Sequence, residues 1–183
     1  AGYPLTVWNR SPDKCAPLIE AGARRANSPA ELCAAADIVL LCLADTAVVR
    51  EVVFGPGGIV EGARAGQLLI YHSSLEPAAT RAMSAELESR SGMRWVDAPV
   101  SGGTAGAEAG SLAIMAGGRA EDIERVRPVL MNLGQRLTRM GGIGAGQAMK
   151  ALNNLVSAGG FLMGIEALLI GQRFGLDAGK MVD

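Results

Sequence analysis

Two short apolar runs, Asp37 to Leu43 and Gln67 to Tyr71, limit the folds open to this chain more than any other feature. Neither alternates apolar with polar residues, and neither is long enough to be a buried helix. Strands of this kind are covered on both faces, as in a parallel sheet between two helical layers. The flanking segments agree. Leu5 to Trp8 reads as a strand that stops at the polar turn starting with Asn9. Pro12 opens a short helix reaching Ala21, and Ser28 followed by Glu31 has the pattern of an N-cap with a capping box. Helices are expected over 46–53, 77–90 and 121–131, and strands over 94–100, 112–116 and 136–140. Strand and helix alternate throughout, which predicts an α/β protein with a mostly parallel, doubly wound sheet.

The pattern breaks at Gly141 to Gly146, after which no strand signal remains. Residues 147–174 read as one long apolar helix, and 175–183 as the start of another. A boundary is therefore expected near residue 142, separating a sheet domain over 1–142 from an inter-domain helix and the beginning of an all-α domain over 143–183. The long helix carries Asn153, Asn154, Ser157 and Glu166, so it reads as a helix buried between domains rather than one facing lipid.

With 183 residues and 49% hydrophobic composition, the chain can bury a real core. Its net charge is −1, from 17 basic and 18 acidic residues without long runs, which argues against nucleic acid or a membrane surface as partner. Three cysteines without a CxxC pair and a single histidine leave no metal site; the thiols are expected to be reduced and buried. No signal-peptide pattern opens the sequence, and the expected location is cytoplasmic.

Three places could carry chemistry. Lys150 and Asn154 are four apart, so on a helix they share a face that Ser157 and Phe161 continue. An ammonium and an amide on one stripe could hold and deprotonate a hydroxyl; an exposed lysine beside an edge amide has the same spacing. Asp97 to Gly103 is a strand ending in a small-residue turn, whose N–H groups and the Ser101 hydroxyl suit a carboxylate; it also fits an ordinary structural turn. If the sheet binds a dinucleotide, Asn9 and Arg10 close the strand that meets the adenosine ribose. A neutral amide and a guanidinium there favour NADP over NAD, although an Asn-Arg turn needs no such reason. The glycine-rich turn that cradles a pyrophosphate belongs roughly 20 residues earlier. Because only eight residues precede Asn9, the chain is expected to begin inside the sheet, without the first strand and glycine turn.

Taken in order, the blocks at Asn9 to Ser11, Leu41 to Ala44, Ser73 to Pro77, Asp97 to Gly103, Gly110 to Gly118 and Gly144 to Asn154 resemble the β-hydroxyacid dehydrogenase family over essentially the whole chain. The resemblance implies a Rossmann-like domain binding NADP or NAD, and hydride transfer between the nicotinamide and a small β-hydroxy acid or semialdehyde. It matches Lys150 to a catalytic acid/base and Asn154 to a substrate-orienting amide. Ser101, Gly102 and Gly103 match a turn that holds the substrate carboxylate. Asn9, Arg10, Ser11, Leu43, Ala44, Val48 and Ser74 match positions around the cofactor. Tyr71 and His72 depart from the Asp-containing approach usual before Ser74, and His72 is read as structural. The placement of Lys150 near a helix N-terminus on an apolar surface is expected to favour the neutral amine a base must be. A homo-oligomer formed through the long helix and the helical domain is expected. A relative that binds phosphogluconate carries His where this chain has Asn153, and imine reductases usually lack the lysine. The alternative is a catalytically incompetent fragment or a non-enzymatic scaffold of the same superfamily.

Overall fold

The computed structural model describes residues 2–182. Its centre is a six-stranded sheet in the order β3(Ile38–Leu41), β4(Leu68–Tyr71), β5(Arg94–Asp97), β7(Leu112–Gly117), β6(Val100–Ser101), with β8(Gly134–Gly141) also pairing β7. β3, β4 and β5 run parallel, as do β7 and β8, whereas β7 is antiparallel to β5 and β6. One register runs through Asp97↔Gly117, Val100↔Ile114 and Ser101↔Ala113. β5 and β6 are thus two halves of one path that leaves β4 and joins β7, and Asp97, paired with Tyr71 on one side and Gly117 on the other, stands where the neighbour changes.

The helices are α1(Ala16–Glu20), α2(Pro29–Ala34), α3(Thr46–Phe54), α4(Ile59–Gly62), α5(Pro77–Ser91), α6(Gly103–Glu108), α7(Ala120–Leu130) and α8(Ala145–Arg173). Their starts follow from local chemistry. Ser28 Oγ accepts from Glu31 N–H, and Asp45 accepts from Val48 N–H, each satisfying a free helix-end donor. The Glu31 carboxylate reaches Asn27 N–H rather than Ser28, one residue earlier than the simple capping box expects.

Two apolar layers enclose β4 and β5. Leu69, Tyr71 and Trp95 face Val49, Val53, Met83 and Leu87. Leu68, Ile70 and Val96 face Ile123, Val126 and Leu130. Side chains alternate across a strand, so helices on both sides are what an all-apolar strand requires. The two-sided cover expected for the run at 37–43 is realised only in part: Val39 and Leu41 are buried, but Leu40 is 41% exposed. The reason is topological. The opening strand β1(Thr6–Val7) pairs with β2(Arg24–Arg25) in a separate two-stranded ladder, so among the described residues β3 is an edge strand.

Three further expectations change. The 29-residue α8 is long and apolar enough to cross a membrane, and only 6% of its most apolar window is buried. It is therefore not a buried helix among the described residues, because only its first turn, Gly146 and Gln147, and Gly171 near its end are covered. Residues 175–182 form turns, held by an Asp177 carboxylate accepting from Lys180 N–H, rather than a new helix. Of the thiols, Cys15 and Cys33 are buried, but Cys42 is exposed.

α8 meets the sheet at close quarters. A Cβ on Gly146 would collide with the Met115 carbonyl and stand 2.8 Å from an Asp97 carboxylate oxygen, both of which are fixed. Gly146→Ala should lower unfolding free energy by about 1–3 kcal/mol, whereas Gly142→Ala, with open space around its Cβ position, should stay within about 0.5 kcal/mol of the parent; urea unfolding of both checks this.

Candidate functional site at the carboxyl edge of the sheet

The Asp97 side chain is fully buried, with 0% exposure. Its carboxylate accepts from Gly144 N–H at 2.7 Å and Gln147 N–H at 2.9 Å, two donors that the first turn of α8 cannot satisfy internally. Burial pushes the Asp97 carboxyl above its ordinary range, and these N–H groups pull it back. Gln147, itself 1% exposed, continues the join. Its Oε1 accepts from Leu75 N–H at 2.8 Å and its Nε2 donates to the Ser73 carbonyl at 2.9 Å. The start of α8 is thus tied to the ends of both β4 and β5.

Helix spacing then places the polar residues that follow. Positions three and seven beyond Gln147 lie on its side of the helix, and these are Lys150 and Asn154. The stripe expected from the sequence exists and is aligned with the residue that grips Ser73 and Leu75, which flank Ser74. Lys150 is half-buried and Asn154 exposed, and neither has a hydrogen-bond or salt-bridge partner among the described residues. Lys150 lies in the second turn of α8, six residues past the N-cap Gly144. The helix-end effect fades beyond the first turn, so the support expected from it is weakened, and desolvation must come from what packs against the stripe.

Ser101 ends β6 and leads directly into α6 through Gly102 and Gly103, with φ of +132° and +61°. Those values require glycine. Where the small-residue pattern predicts only a turn, the chain forms the short α6.

Further along the sheet, at the end of β3, a hollow of about 450 Å³ brings together Asn9, Arg10, Leu43, Ala44 and Val48, with Trp8 and Leu40 in its wall. Five positions expected around a cofactor therefore share one cavity. Ser11 and Ser74 are not in its lining. Ser11 N–H donates to the Asn9 side-chain oxygen at 2.9 Å, fixing the turn. Ser101, Gly102, Gly103, Lys150 and Asn154 are likewise outside the hollow; the sheet edge and the Asp97–Gln147 join connect the two groups.

The residues that depart from the expected pattern have definite partners. Tyr71 is buried and its hydroxyl donates to the Leu43 carbonyl at 3.1 Å, so it anchors the loop lining the cofactor hollow. Ser73 Oγ lies 3.5 Å from Cys42 Sγ on the same loop. His72 Nδ1 is 2.9 Å from the Ala98 carbonyl, which makes it the donor, and its buried Nε2 has no partner. Burial lowers the His72 pKa from its ordinary 6.5. Asp97 and Gln147 lie inside the motif blocks, but nothing local in the sequence states their task. Their signal was a lone carboxylate closing an apolar strand and an amide in the first turn of an apolar helix.

Residues 1–142 match the family model described as the NAD binding domain of 6-phosphogluconate dehydrogenase, and residues 144–183 the model described as NAD-binding of NADP-dependent 3-hydroxyisobutyrate dehydrogenase. The chain belongs to the β-hydroxyacid dehydrogenase family, in its 3-hydroxyisobutyrate dehydrogenase-type group, and both parts of it match models of NAD-binding domains. It is 37% identical over 180 residues to a probable mitochondrial 3-hydroxyisobutyrate dehydrogenase of Dictyostelium discoideum, covering 98% of this chain and 56% of that protein. The structure of Mycobacterium tuberculosis 3-hydroxyisobutyrate dehydrogenase with L-serine superposes with a TM-score of 0.90 at 34% identity, covering 97% of this chain and 60% of the other. Psf3 in complex with NADP+ and 2-OPP superposes with a TM-score of 0.87 at 31% identity over 99% and 64% of the two chains. The chain thus spans a little more than half the length of the curated relative it matches.

His72 is the only histidine, which makes it the chain's only side chain whose ordinary pKa falls near 6.5. Its folded pKa lies below its unfolded one, so between the two the unfolded chain binds more protons, and stability is lost as pH falls from about 6.5 through the depressed value. Urea midpoints should fall from about pH 7 to about pH 5, and His72→Asn should flatten that slope.

Proposed function

We propose that the protein transfers hydride between NADP and a small carboxylate bearing a β-hydroxyl or the corresponding aldehyde, with Lys150 as the acid/base. The observation that supports this best is the join of Asp97 and Gln147 to the first turn of α8. It fixes the start of the helix that carries the Lys150–Asn154 stripe to the sheet at the point where β5/β6 changes neighbour, and such carboxyl edges are where open α/β sheets bind ligands.

The nicotinamide, when bound, supplies the hydride chemistry. The chain's residues do the rest. Asn9, Arg10 and Ser11 hold the adenosine end, while Leu43, Ala44 and Val48 line the nicotinamide side, with the Leu43 loop pinned by Tyr71. Ser74, between the two residues that Gln147 holds, reaches the cofactor from the loop after β4. The Ser101–Gly103 turn offers a hydroxyl and N–H groups to the substrate carboxylate. In reduction Lys150 delivers a proton to the substrate oxygen, in oxidation it removes one, and Asn154 donates to the same oxygen without adding charge. The residues fit the cofactor: a mainly apolar hollow, whose one acidic lining residue is Glu51 of α3, reaches the Asn9 amide and the Arg10 guanidinium, and the neutral amide puts no charge against a 2′-phosphate.

The exposed apolar face of α8 fits pairing with a second copy and cover by further helices, not a membrane, because residues 144–183 match a dehydrogenase family model as a unit. Placing the protein in the cytoplasm, and a unit boundary near residue 142, belong to the same reading. A chain spanning 56% of a relative also suits a second reading, a cofactor-binding unit without turnover. NADPH oxidation with tartronate semialdehyde and with methylmalonate semialdehyde separates the two; binding without turnover of any small semialdehyde would overturn the enzyme reading. Lys150→Ala should lower kcat by about 10²- to 10⁴-fold while NADPH affinity changes less than about twofold, and unchanged turnover would remove Lys150 from the role.

A further inference from the structure

We propose that Arg25 is the second arm of a phosphate clamp and, with Arg10, sets the cofactor preference; this rests on the dinucleotide reading above. A small hollow of about 220 Å³ lies next to the larger one, and Trp8, Asn9 and Arg10 line both. Its remaining wall includes Arg25, Ala26 and Asn27. The ladder fixes this approach. Arg25 is registered opposite Val7, and Ala26 N–H donates to the Val7 carbonyl at 2.9 Å, so the end of β2 runs alongside the turn that carries Asn9 and Arg10.

The charges around this hollow do not cancel. No Asp or Glu is in its lining, and neither Arg10 nor Arg25 has a salt-bridge partner among the described residues, although seven such bridges occur elsewhere. The Glu31 carboxylate, beyond β2, is taken by both donors of Asn27, its N–H and its side-chain amide, at 2.9 Å each. Two guanidiniums left facing one small space repel each other, and a dianion between them turns that repulsion into two charge-assisted contacts. Guanidinium forks match the oxygens of a phosphate monoester. Because the hollow adjoins the cofactor cavity through Trp8, Asn9 and Arg10, the phosphate that reaches it is the one on the adenosine ribose of NADP. Arg25 is the second residue of β2 and distant in sequence from the Asn9 turn, so no local motif announces it.

Calorimetric titration of the parent, Arg10→Gln, Arg25→Gln and Arg25→Lys with NADPH, NADH, 2′-AMP, 5′-AMP and inorganic phosphate tests the clamp. Arg25→Gln should weaken NADPH and 2′-AMP by about 10- to 100-fold, leave NADH and 5′-AMP within about twofold, and be partly rescued in Arg25→Lys. Unfolding midpoints equal to the parent's confirm that the exposed substitution leaves the fold intact. If Arg25→Gln binds NADPH as the parent does while Arg10→Gln loses it, Arg25 has no part and the NADP reading stands. If the parent binds NADPH and NADH equally and inorganic phosphate as tightly as 2′-AMP, the clamp holds free phosphate and the proposal is overturned. A parent that binds neither dinucleotide overturns both readings.

Discussion

A carboxylate with no solvent exposure, held between two strands, is the contact on which the rest of this structure depends. Asp97 occupies the junction at which β5 leaves β4 and its continuation joins β7, and it receives two N–H groups from the start of α8. Burying a carboxylate is costly unless its oxygens are satisfied. Here they are satisfied by donors that a helix start otherwise leaves open, so two unfavourable ends are matched in one contact. Gly146 and Gly117 make room for it, since a Cβ on either would crowd the Asp97 carboxylate. The helix cannot slide or rotate without breaking this pair and the Gln147 contacts beside it.

That fixed origin gives the remainder of α8 its meaning. The helix extends from the sheet with large apolar residues exposed along its length, Leu155 at 69% and Phe161 at 77%, and with a polar stripe that begins at Gln147. Rigid attachment at one end converts a helix periodicity into a direction: side chains three and seven residues onward fall on the same face of α8 as Gln147, whose contacts hold the helix start to the sheet. Along the same edge, Tyr71 holds the Leu43 loop through a hydrogen bond worth about 0.5–1.5 kcal/mol. The pairing of a tied helix with a tied loop is what lets two side-chain groups, each unremarkable alone, belong to one site.

The doubly wound layers were legible because apolar strands and helix starts announce themselves locally: the runs at 37–43 and 67–71, Ser28 with Glu31, Asp45 before Val48. The Lys150–Asn154 stripe was legible for the same reason, being a spacing. Pairing was not. Whether Leu40 is covered depends on which strand lies beside β3, and the separation of β1 and β2 from the main sheet is a property of the whole topology. The roles of Asp97, Gln147 and Tyr71 were equally hidden, since each acts on a backbone group far along the chain: Gly144, Ser73 and Leu43. Burial of α8 was expected from composition, but composition states only that a helix has apolar surface, not what covers it.

The attachment of α8 is tested most directly by amide hydrogen exchange at Gly144 and Gln147 in the unmodified protein. If Asp97 holds both N–H groups, they exchange only through global unfolding, as slowly as the amides of Leu69 and Ile70 in the central strand β4. Exchange at the fast rate of a frayed helix start, with β4 still protected, would contradict the account.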